Sequence, residues 1–262
     1  MKIAVCIKQV PDTETIIKIV NDTAIDESGI KWIINPYDEF AVEESIKIKE
    51  RLGGDSSFTV YSIGPDRAES ALRTCLALGA DRVVHLDDPL FIGLENFLAA
   101  TVLAAALRKD SYDLILFGKQ AIDDDGGMTA AMTAQILDMP YISEISKLEF
   151  PEDGKAKASR LVEGNAEVWE TGLPVLLSCQ KGLNEPRLPV LRGIMQSKKK
   201  PIEKFSAEDL DLDAEKLKRL AGSRTRIKLE SPLQRSECKV MDNSDAAIDE
   251  VAAWLKNSVG VI

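Results

Sequence analysis

Apolar and polar residues alternate in blocks over the first 140 positions, and the spacing of these blocks predicts strands that alternate with helices. Four runs are apolar enough for strands buried on both faces: Lys2–Val10, Ser57–Ile63, Arg82–Leu86 and Tyr112–Phe117. Helical spacing lies between and after them, at Pro36–Leu52, Pro65–Leu78, Leu94–Leu107 and Thr129–Leu137. Because parallel strands need such crossovers, the order predicts an α/β fold with a doubly wound, mostly parallel sheet.

Short β-rich segments interrupt this order and predict antiparallel additions to the sheet. The first group is Thr15–Val20 with Gly29–Ile34, which we expect to form an antiparallel excursion. The second group is expected to flank the parallel core and comprises Ile142–Phe150, Ala156–Leu161, Ala166–Thr171 and Val175–Cys179.

The apolar pattern thins after residue 183, which predicts three parts. They are an α/β domain over residues 1–183, an extended segment over 184–201 that Pro186 and Pro189 favour, and a C-terminal arm over 202–262. The arm carries a short helical pattern at Ser206–Leu210 and a longer one at Ser244–Leu255. An arm so poor in core positions is expected to pack on another subunit.

Charge and hydropathy narrow the possible partners and location. The chain has 43 acidic and 33 basic residues, a net charge of −10, which is opposite to the charge of a general nucleic-acid binder. Its longest apolar run, Phe97–Leu107, is far shorter than the ~20 residues of a membrane span. A strand pattern begins at Met1, where a leader peptide would lie. We therefore expect a cytoplasmic protein with no membrane span and no nucleic-acid partner.

Cysteine and histidine are too few and too dispersed for several kinds of chemistry. Cys6, Cys75, Cys179 and Cys238 form no CxxC pair, and His85 is the single histidine. A zinc site, a thioredoxin-type motif and a Ser-His-Asp triad are therefore not indicated. We expect no metal ion and no catalytic residue.

The stretch Gly118–Thr129 is the first candidate binding site. It leaves a predicted parallel strand and enters a helix, which is where open α/β sheets bind ligands. Its glycines let a phosphate approach the backbone, and the first amides of the helix can receive it. The aspartates at 123–125 would repel a phosphate unless they cap amides or bind a ribose, roles that we favour over metal binding. An ordinary glycine-rich turn is the alternative.

The stretch Asn35-Pro36-Tyr37-Asp38 is the second candidate, because its tight helix entry can place polar groups against an adenine or a ribose. Taken alone, the same four residues also fit a simple helix cap with Asn35 as N-cap and Pro36 at the first helical position.

Several motifs together resemble one known family over nearly the whole chain. In order they are Ile7-Lys8-Gln9-Val10, Asn35-Pro36, Ala41-Val42-Glu43-Glu44, Ala77-Leu78-Gly79-Ala80-Asp81, Gly118-Lys119-Gln120-Ala121-Ile122-Asp123-Asp124-Asp125, Leu183-Asn184-Glu185-Pro186-Arg187, Ile194-Met195 and Lys198-Lys199-Lys200-Pro201. The sequence resembles the small (beta) subunit of electron-transfer flavoprotein.

The resemblance implies a heterodimer in which an alpha subunit holds the redox-active FAD and this subunit holds AMP as a structural nucleotide. It also implies an adenine-nucleotide alpha-hydrolase-like fold and an electron carrier with no catalytic residue of its own. The implied AMP contacts are Cys6, Asn35, Pro36, Tyr37, Asp38, Ile63, Gly118, Lys119, Gln120, Ala121, Ile122, Asp123, Asp124, Asp125, Gly126, Gly127, Met128 and Thr129. We expect strand ends to bring them to one edge of the sheet.

The resemblance further implies a partner recognition loop within residues 184–200, in which Leu191 docks in a pocket of flavin dehydrogenases such as acyl-CoA dehydrogenases. A membrane quinone reductase would receive the electrons. Arg187, Arg192 and the lysine run are expected to steer an acidic partner. Without the resemblance, a buried connection is the alternative reading of this segment.

The sequence departs from the family at positions that leave a second function open. Leu161 stands where members similar to the mitochondrial protein have a glutamate, and Thr13 stands where they have a tyrosine. The Pro11-Asp12-Thr13 stretch is closer to the electron-bifurcating branch, whose beta subunit holds a second FAD. That branch has a glycine at the position of Asp124, so we favour AMP. A stand-alone nucleotide-binding module of the universal-stress type is the third possibility, which the long tail disfavours.

Overall fold

The computed structural model describes residues 1–150, 154–223, 225–233 and 238–260. They divide into two compact units. The larger unit comprises residues 1–18 and 26–226, and the smaller comprises residues 19–25 and 227–262. Among the described residues, no helix combines the length and the apolar character needed to cross a membrane.

The larger unit contains most of the regular structure. Its strands are β1 (Lys2–Ile7), β2 (Gln9–Pro11), β5 (Trp32–Ile34), β6 (Ser57–Ile63), β7 (Arg82–Leu86), β8 (Leu114–Gly118), β9 (Tyr141–Glu149), β10 (Lys155–Val162), β11 (Asn165–Gly172), β12 (Val175–Cys179) and β13 (Glu203–Phe205), while β3 (Ile19–Asn21) and β4 (Ala24–Ile25) belong to the smaller unit. Its helices are α1 (Pro36–Leu52), α2 (Glu69–Leu78), α3 (Asn96–Leu107), α4 (Thr129–Leu137), α5 (Leu191–Ser197) and α6 (Ala214–Ala221), while α7 (Asp245–Trp254) belongs to the smaller unit.

A nine-stranded sheet forms the centre of the larger unit, in the order β11-β10-β9-β12-β8-β1-β6-β7-β13. The seven strands from β9 to β13 in this order are parallel, and β10 and β11 extend the sheet as an antiparallel hairpin. The predicted α/β class with a mostly parallel sheet and antiparallel additions is therefore confirmed.

Helices cover both faces of this sheet, which explains why its central strands are apolar throughout. Along β1, Ile3 and Val5 face a core shared with α1 and α2. Ala4 and Cys6 face a second core, shared with α3, α4 and α6. Each face buries every other residue of the strand, as expected for a doubly wound fold.

Three sequence predictions about individual segments are wrong. Val175–Cys179 does not flank the core, because β12 lies inside the parallel sheet between β9 and β8. Trp32–Ile34 pairs with Gln9–Pro11, which separates from the first strand at Lys8, and not with Thr15–Val20. Residues 207–211 form turns in place of the short helix predicted at Ser206–Leu210, because Asp211 adopts a left-handed φ of 53° that ends the helical conformation after one turn.

Candidate functional site

The order of strands creates a topological switch point between β1 and β8. From β1 the chain winds outward through β6 and β7 on one side, and it then crosses to β8 on the other side. Crossovers on opposite faces leave a crevice at the carboxyl ends of the two strands, where open α/β sheets bind ligands. Cys6 and Phe117 lie opposite each other close to this edge.

Asp38, in the first turn of α1, bridges the ends of these two strands. Its Oδ2 accepts a hydrogen bond from the amide of Lys8 at 2.7 Å, and its Oδ1 accepts one from the amide of Gly118 at 3.1 Å. The side chain is buried, with an exposed fraction of 5%. A Cβ atom on Gly118 would lie 2.3 Å from Oδ1 and 2.7 Å from the Asp38 amide nitrogen, so only glycine permits this approach.

The same carboxyl group titrates far from its ordinary range. Burial raises the pKa of Asp38 from 3.8 to about 7, and the hydrogen bonds from the Lys8 and Gly118 amides lower it by less than burial raises it. Burial also raises the pKa of the Cys6 thiol, and Asp38 adds to that effect. Cys6 is therefore a protonated core thiol whose side chain packs with the α3 face.

Asn35 fixes the start of the loop that follows β8. Its Nδ2 donates to the carbonyl of Gln120 at 2.8 Å, and its Oδ1 accepts from the amide of Ile122 at 3.1 Å. Asn35 occupies the predicted N-cap position of α1, but its side chain makes no capping hydrogen bond there. Its amide group instead holds a loop that lies 85 residues later in the chain.

Residues 119–127, here called the acidic loop, direct their three carboxylates to local partners. Asp123 Oδ1 and Asp124 Oδ2 lie 2.8 and 3.1 Å from the Lys8 ammonium nitrogen. Asp124 Oδ1 also accepts from the amide of Gly126 at 3.0 Å, and Asp125 accepts from the Gln120 side chain at 2.7 Å. The repulsion that these carboxylates would exert on a phosphate is thus partly compensated within the protein.

The acidic loop leads directly into helix α4. Gly127 adopts a φ of 61°, a conformation that favours glycine, and α4 begins at Thr129. The Thr129 hydroxyl donates to the Asn96 side chain at 3.2 Å, and a Cβ on Gly126 would lie 2.4 Å from Asn96 Nδ2. The free amides of a helix N-terminus at a strand switch point form a typical site for a phosphate.

The remaining predicted contacts are distributed around the same edge. Pro36 opens α1, and the ring of Tyr37 lies 5.1 Å from the Lys119 ammonium nitrogen. Ile63 ends β6 and is only partly buried in the α3-side core. The structure thus brings every predicted contact residue to one edge of the sheet, while their part in binding a ligand stays a prediction. The described residues contain no cluster of histidine, cysteine or acidic side chains that would hold a metal ion.

The predicted recognition loop forms a separate exposed apolar surface. Leu191 begins the short helix α5 and has an exposed fraction of 74%. We call its exposed apolar side chains the apolar patch, and they are Leu188, Val190, Leu191, Ile194 and Met195. The alternative reading of this segment as a buried connection is therefore wrong.

Helix α2 supports the apolar patch through contacts with α5 and the residues that follow it. Arg73, on α2, donates to the carbonyls of Ser197 and Lys200 at 2.8 and 2.5 Å, which satisfies the end of α5. Gly193 allows α5 to approach α2, because a Cβ there would lie 2.2 Å from the carbonyl oxygen of Ala77.

The charge of Arg187 is paired within the protein, and the part of this residue in steering a partner stays a prediction. Its guanidinium pairs with Glu43 at 2.9 Å and with Glu50 at 2.6 Å, both on α1. Lys200 similarly donates to the carbonyl of Ala80. Arg187 and Lys200 therefore anchor the predicted recognition loop to the rest of the larger unit.

Sequence reasoning missed three residues that shape these sites, namely Lys8, Asn96 and Arg73. Lys8 had a detectable signal, because it is a charged residue near the carboxyl end of the otherwise apolar run Lys2–Val10. Asn96 and Arg73 lie in helices, and nothing in the local sequence indicates that their side chains reach the acidic loop and α5.

Comparison with known proteins gives a consistent result. Residues 22–210 match the sequence model of the electron transfer flavoprotein domain. The chain is 44% identical over 222 residues to the electron transfer flavoprotein subunit beta of Bacillus subtilis, which covers 82% of each protein.

Two further relatives extend this similarity. The electron transfer flavoprotein subunit beta of Syntrophomonas wolfei is 36% identical over 265 residues, covering 100% of this chain and 98% of the relative. A protein of Acetobacterium woodii named caffeyl-CoA reductase-Etf complex subunit CarD is 40% identical over 217 residues, covering 82% of each.

Proposed function

This chain belongs to the electron transfer flavoprotein family as a beta subunit, and we propose that it binds AMP structurally while an alpha subunit holds most of the FAD. In this proposal the heterodimer is an electron carrier of the cytoplasm, and the beta subunit has no catalytic residue. The bound FAD supplies the redox chemistry, whereas this chain provides binding and orientation.

One observation carries the nucleotide assignment. Two separate candidate stretches, Asn35–Asp38 and Gly118–Thr129, meet at the switch point, where Asn35 donates to Gln120 and accepts from Ile122, and Asp38 accepts from Gly118. The amides of Gly127 to Thr129 would hold the phosphate at the start of α4. Asn35 and Asp38 would act by keeping the acidic loop in place.

The donor set of this edge fits a small anionic nucleotide. The loop carboxylates are engaged by Lys8, by Gln120 and by the Gly126 amide, so they do not all face an incoming phosphate. Gly118 and Gly126 let Asp38 and Asn96 pack closely against the backbone, and at Gly127 no atom lies within 3.8 Å of the position that a Cβ would take.

The apolar patch supports the second half of the proposal, in which flavin dehydrogenases such as acyl-CoA dehydrogenases dock at Leu191. A large apolar side chain that is exposed on a rigid support is typical of a binding hot spot. The dehydrogenases would deliver electrons to the heterodimer, which would pass them to a membrane quinone reductase.

The nucleotide content of the co-expressed alpha–beta complex tests the proposal that this subunit binds AMP. We would denature the purified complex and quantify the released nucleotides against protein by chromatography. One AMP and one FAD per heterodimer are expected. Two FAD without AMP would contradict the proposal and favour the alternative.

That alternative is the beta subunit of an electron-bifurcating flavoprotein that carries a second FAD. It is favoured by the similarity to a subunit of a caffeyl-CoA reductase complex and by the Pro11-Asp12-Thr13 stretch. A stand-alone adenine-nucleotide module is a weaker candidate, and a complex that contains no FAD would be needed to support it.

A further inference from the structure

The acidic loop presents an electrostatic difficulty for any phosphate ligand. Asp123, Asp124 and Asp125 are consecutive, and the first amides of α4 follow them within four residues. At such short distances, uncompensated carboxylates repel a phosphate strongly when solvent is partly excluded.

Lys8 lies where it can remove this repulsion. It directly follows β1, and its ammonium nitrogen contacts Asp123 Oδ1 at 2.8 Å and Asp124 Oδ2 at 3.1 Å. The pairing outweighs the partial burial of the lysine, so the pKa of Lys8 is raised and the group stays charged at neutral pH.

The position of Lys8 is fixed by the same contacts that build the site. Its own amide donates to Asp38 Oδ2, and Asp38 in turn holds Gly118 at the start of the loop. The lysine is therefore placed by the backbone of the switch point, before any ligand binds.

The neighbouring lysine does not duplicate this role. The ammonium nitrogen of Lys119 lies 3.7 Å from Glu144 and 5.1 Å from the centre of the Tyr37 ring. Its charge is thus directed to β9 and α1, away from Asp123 and Asp124.

We propose that Lys8 is a positioning residue that enables nucleotide binding by neutralising Asp123 and Asp124, and the inference rests on the proposed function. Lys8 acts through the two carboxylates and not through a bond to the phosphate. Removal of the carboxylates should therefore make the lysine dispensable.

The test measures the binding of labelled AMP and of labelled adenosine by equilibrium dialysis, in the co-expressed alpha–beta complex from which resident AMP has first been removed by extensive dialysis. Lys8→Met should weaken AMP binding ~10-fold or more. Adenosine, which has no phosphate, should bind this variant with nearly the wild-type affinity. A structural collapse would weaken the binding of both ligands, and the FAD content checks the integrity of each complex.

Removing the carboxylate charges of Asp123 and Asp124 then shows whether Lys8 acts by neutralising them or in another way. The triple variant Lys8→Met/Asp123→Asn/Asp124→Asn should recover most of the wild-type affinity for AMP. The Asp124→Asn change is not expected to disturb the turn, because an asparagine side chain retains an oxygen that can accept from the Gly126 amide. Lys2→Met makes the same charge change at the first residue of β1, at the opposite end of the strand from Lys8, and should leave AMP binding unaltered.

Two results would overturn the inference, and a third would overturn the proposed function on which it rests. A triple variant that binds AMP as weakly as Lys8→Met would mean that Lys8 contacts the phosphate or only tethers the loop. A Lys8→Met complex that binds AMP like the wild type would remove any role for the lysine. A wild-type complex that binds no AMP would instead contradict the proposed function, which is a distinct outcome.

Discussion

Asp38 gives the larger unit a pH dependence with a defined sign. Burial raises its pKa from 3.8 to about 7, so between these values the folded state binds a proton that the unfolded state has lost. The stabilisation linked to this proton is complete below pH 3.8 and is lost as the pH rises to 7. Asp38→Asn should remove it.

The measurement is chemical denaturation of wild-type and Asp38→Asn complexes between pH 5 and pH 8. The free energy of unfolding of the wild type, relative to that of the variant, should fall by roughly 1 kcal/mol per pH unit up to about pH 7 and then level off. Curves that run parallel over the whole range would show that Asp38 titrates normally.

Gly118 is expected to tolerate no side chain. In Gly118→Ala the new Cβ would meet Asp38 Oδ1 at 2.3 Å and backbone atoms of residues 37 and 38 at 2.7 Å. Backbone cannot move aside cheaply, so we expect a loss of ~2 kcal/mol or more in the free energy of unfolding.

Gly172→Ala is the matched control, because no atom lies within 4 Å of the position that its Cβ would take. Thermal denaturation of both variants compares them directly. Equal melting temperatures for the two variants would mean that the Asp38 bridge relaxes without cost.

Leu191→Ala tests the docking proposal at a single side chain. Because Leu191 is mostly exposed, its truncation should leave folding and assembly intact. The second-order rate constant for electron transfer from a dehydrogenase should fall ~10-fold. Stopped-flow reduction of the bound flavin by the dehydrogenase is the measurement.

Leu188→Ala provides the comparison, since Leu188 is exposed on the same loop outside α5. Equal effects of the two substitutions would assign docking to the apolar patch as a whole. No effect of Leu191→Ala would remove the docking role of that residue.

At the scale of elements, α5 depends on its close approach to α2. In Gly193→Ala the new Cβ would lie 2.2 Å from the Ala77 carbonyl oxygen, so α5 must shift or partly unfold. We expect the amides of residues 191–197 to exchange hydrogen ~10-fold faster or more, as a local opening becomes easier.

Hydrogen exchange followed by mass spectrometry measures this directly, and the nucleotide content of the same complex serves as the control. The content should stay unchanged, because α5 contributes no residue to the switch point. Unaltered exchange over residues 191–197 would contradict the tight contact.

Periodic patterns predict elements well here, whereas neighbours in the sheet do not follow from sequence order. The bounds of Pro36–Leu52, Ser57–Ile63, Arg82–Leu86 and Thr129–Leu137 agree with the structure, because strands and helices in a buried α/β core have distinct apolar periods. Val175–Cys179 was given the wrong position because local residues do not specify which strands pair. Its continuous apolar character was the signal of a central parallel strand.

The candidate site was predictable in its location but not in its internal connections. Strand ends and glycines indicated the edge, and the chain segments do meet there. The side chains of Asn35 and Asp38 form hydrogen bonds with residues about 80 positions away, and such long-range pairs leave no local pattern. The same reason hid the contact between Lys8 and the acidic loop.

At the scale of the whole molecule, most of the large apolar side chains among the described residues of the smaller unit are exposed. Ile248, Val251 and Trp254 are all exposed and lie three residues apart on α7, and Ala247 is buried. An apolar stripe of this kind on a helix is typical of a contact with another chain. The packing of the arm on another subunit stays a prediction, which this exposed stripe supports.

Val251→Asp should therefore weaken the pairing with the alpha subunit, because a carboxylate would be buried in the contact. Co-purification of a tagged alpha subunit with the variant measures the effect, and at least a ~10-fold loss of affinity is expected. Asp249→Asn, on the same helix and also exposed, is the control. Equal recovery of both variants would place the contact elsewhere.

The bridge from Asp38 to Lys8 and Gly118 also determines when the site can exist during synthesis. Its parts come from residues 8, 35–38 and 118–129, and Lys8 and Asp123 are 115 positions apart. A chain emerging from the ribosome must expose β8 and α4 before this edge can close. A nucleotide that binds there therefore selects chains in which β1, β8 and the start of α4 have already come together.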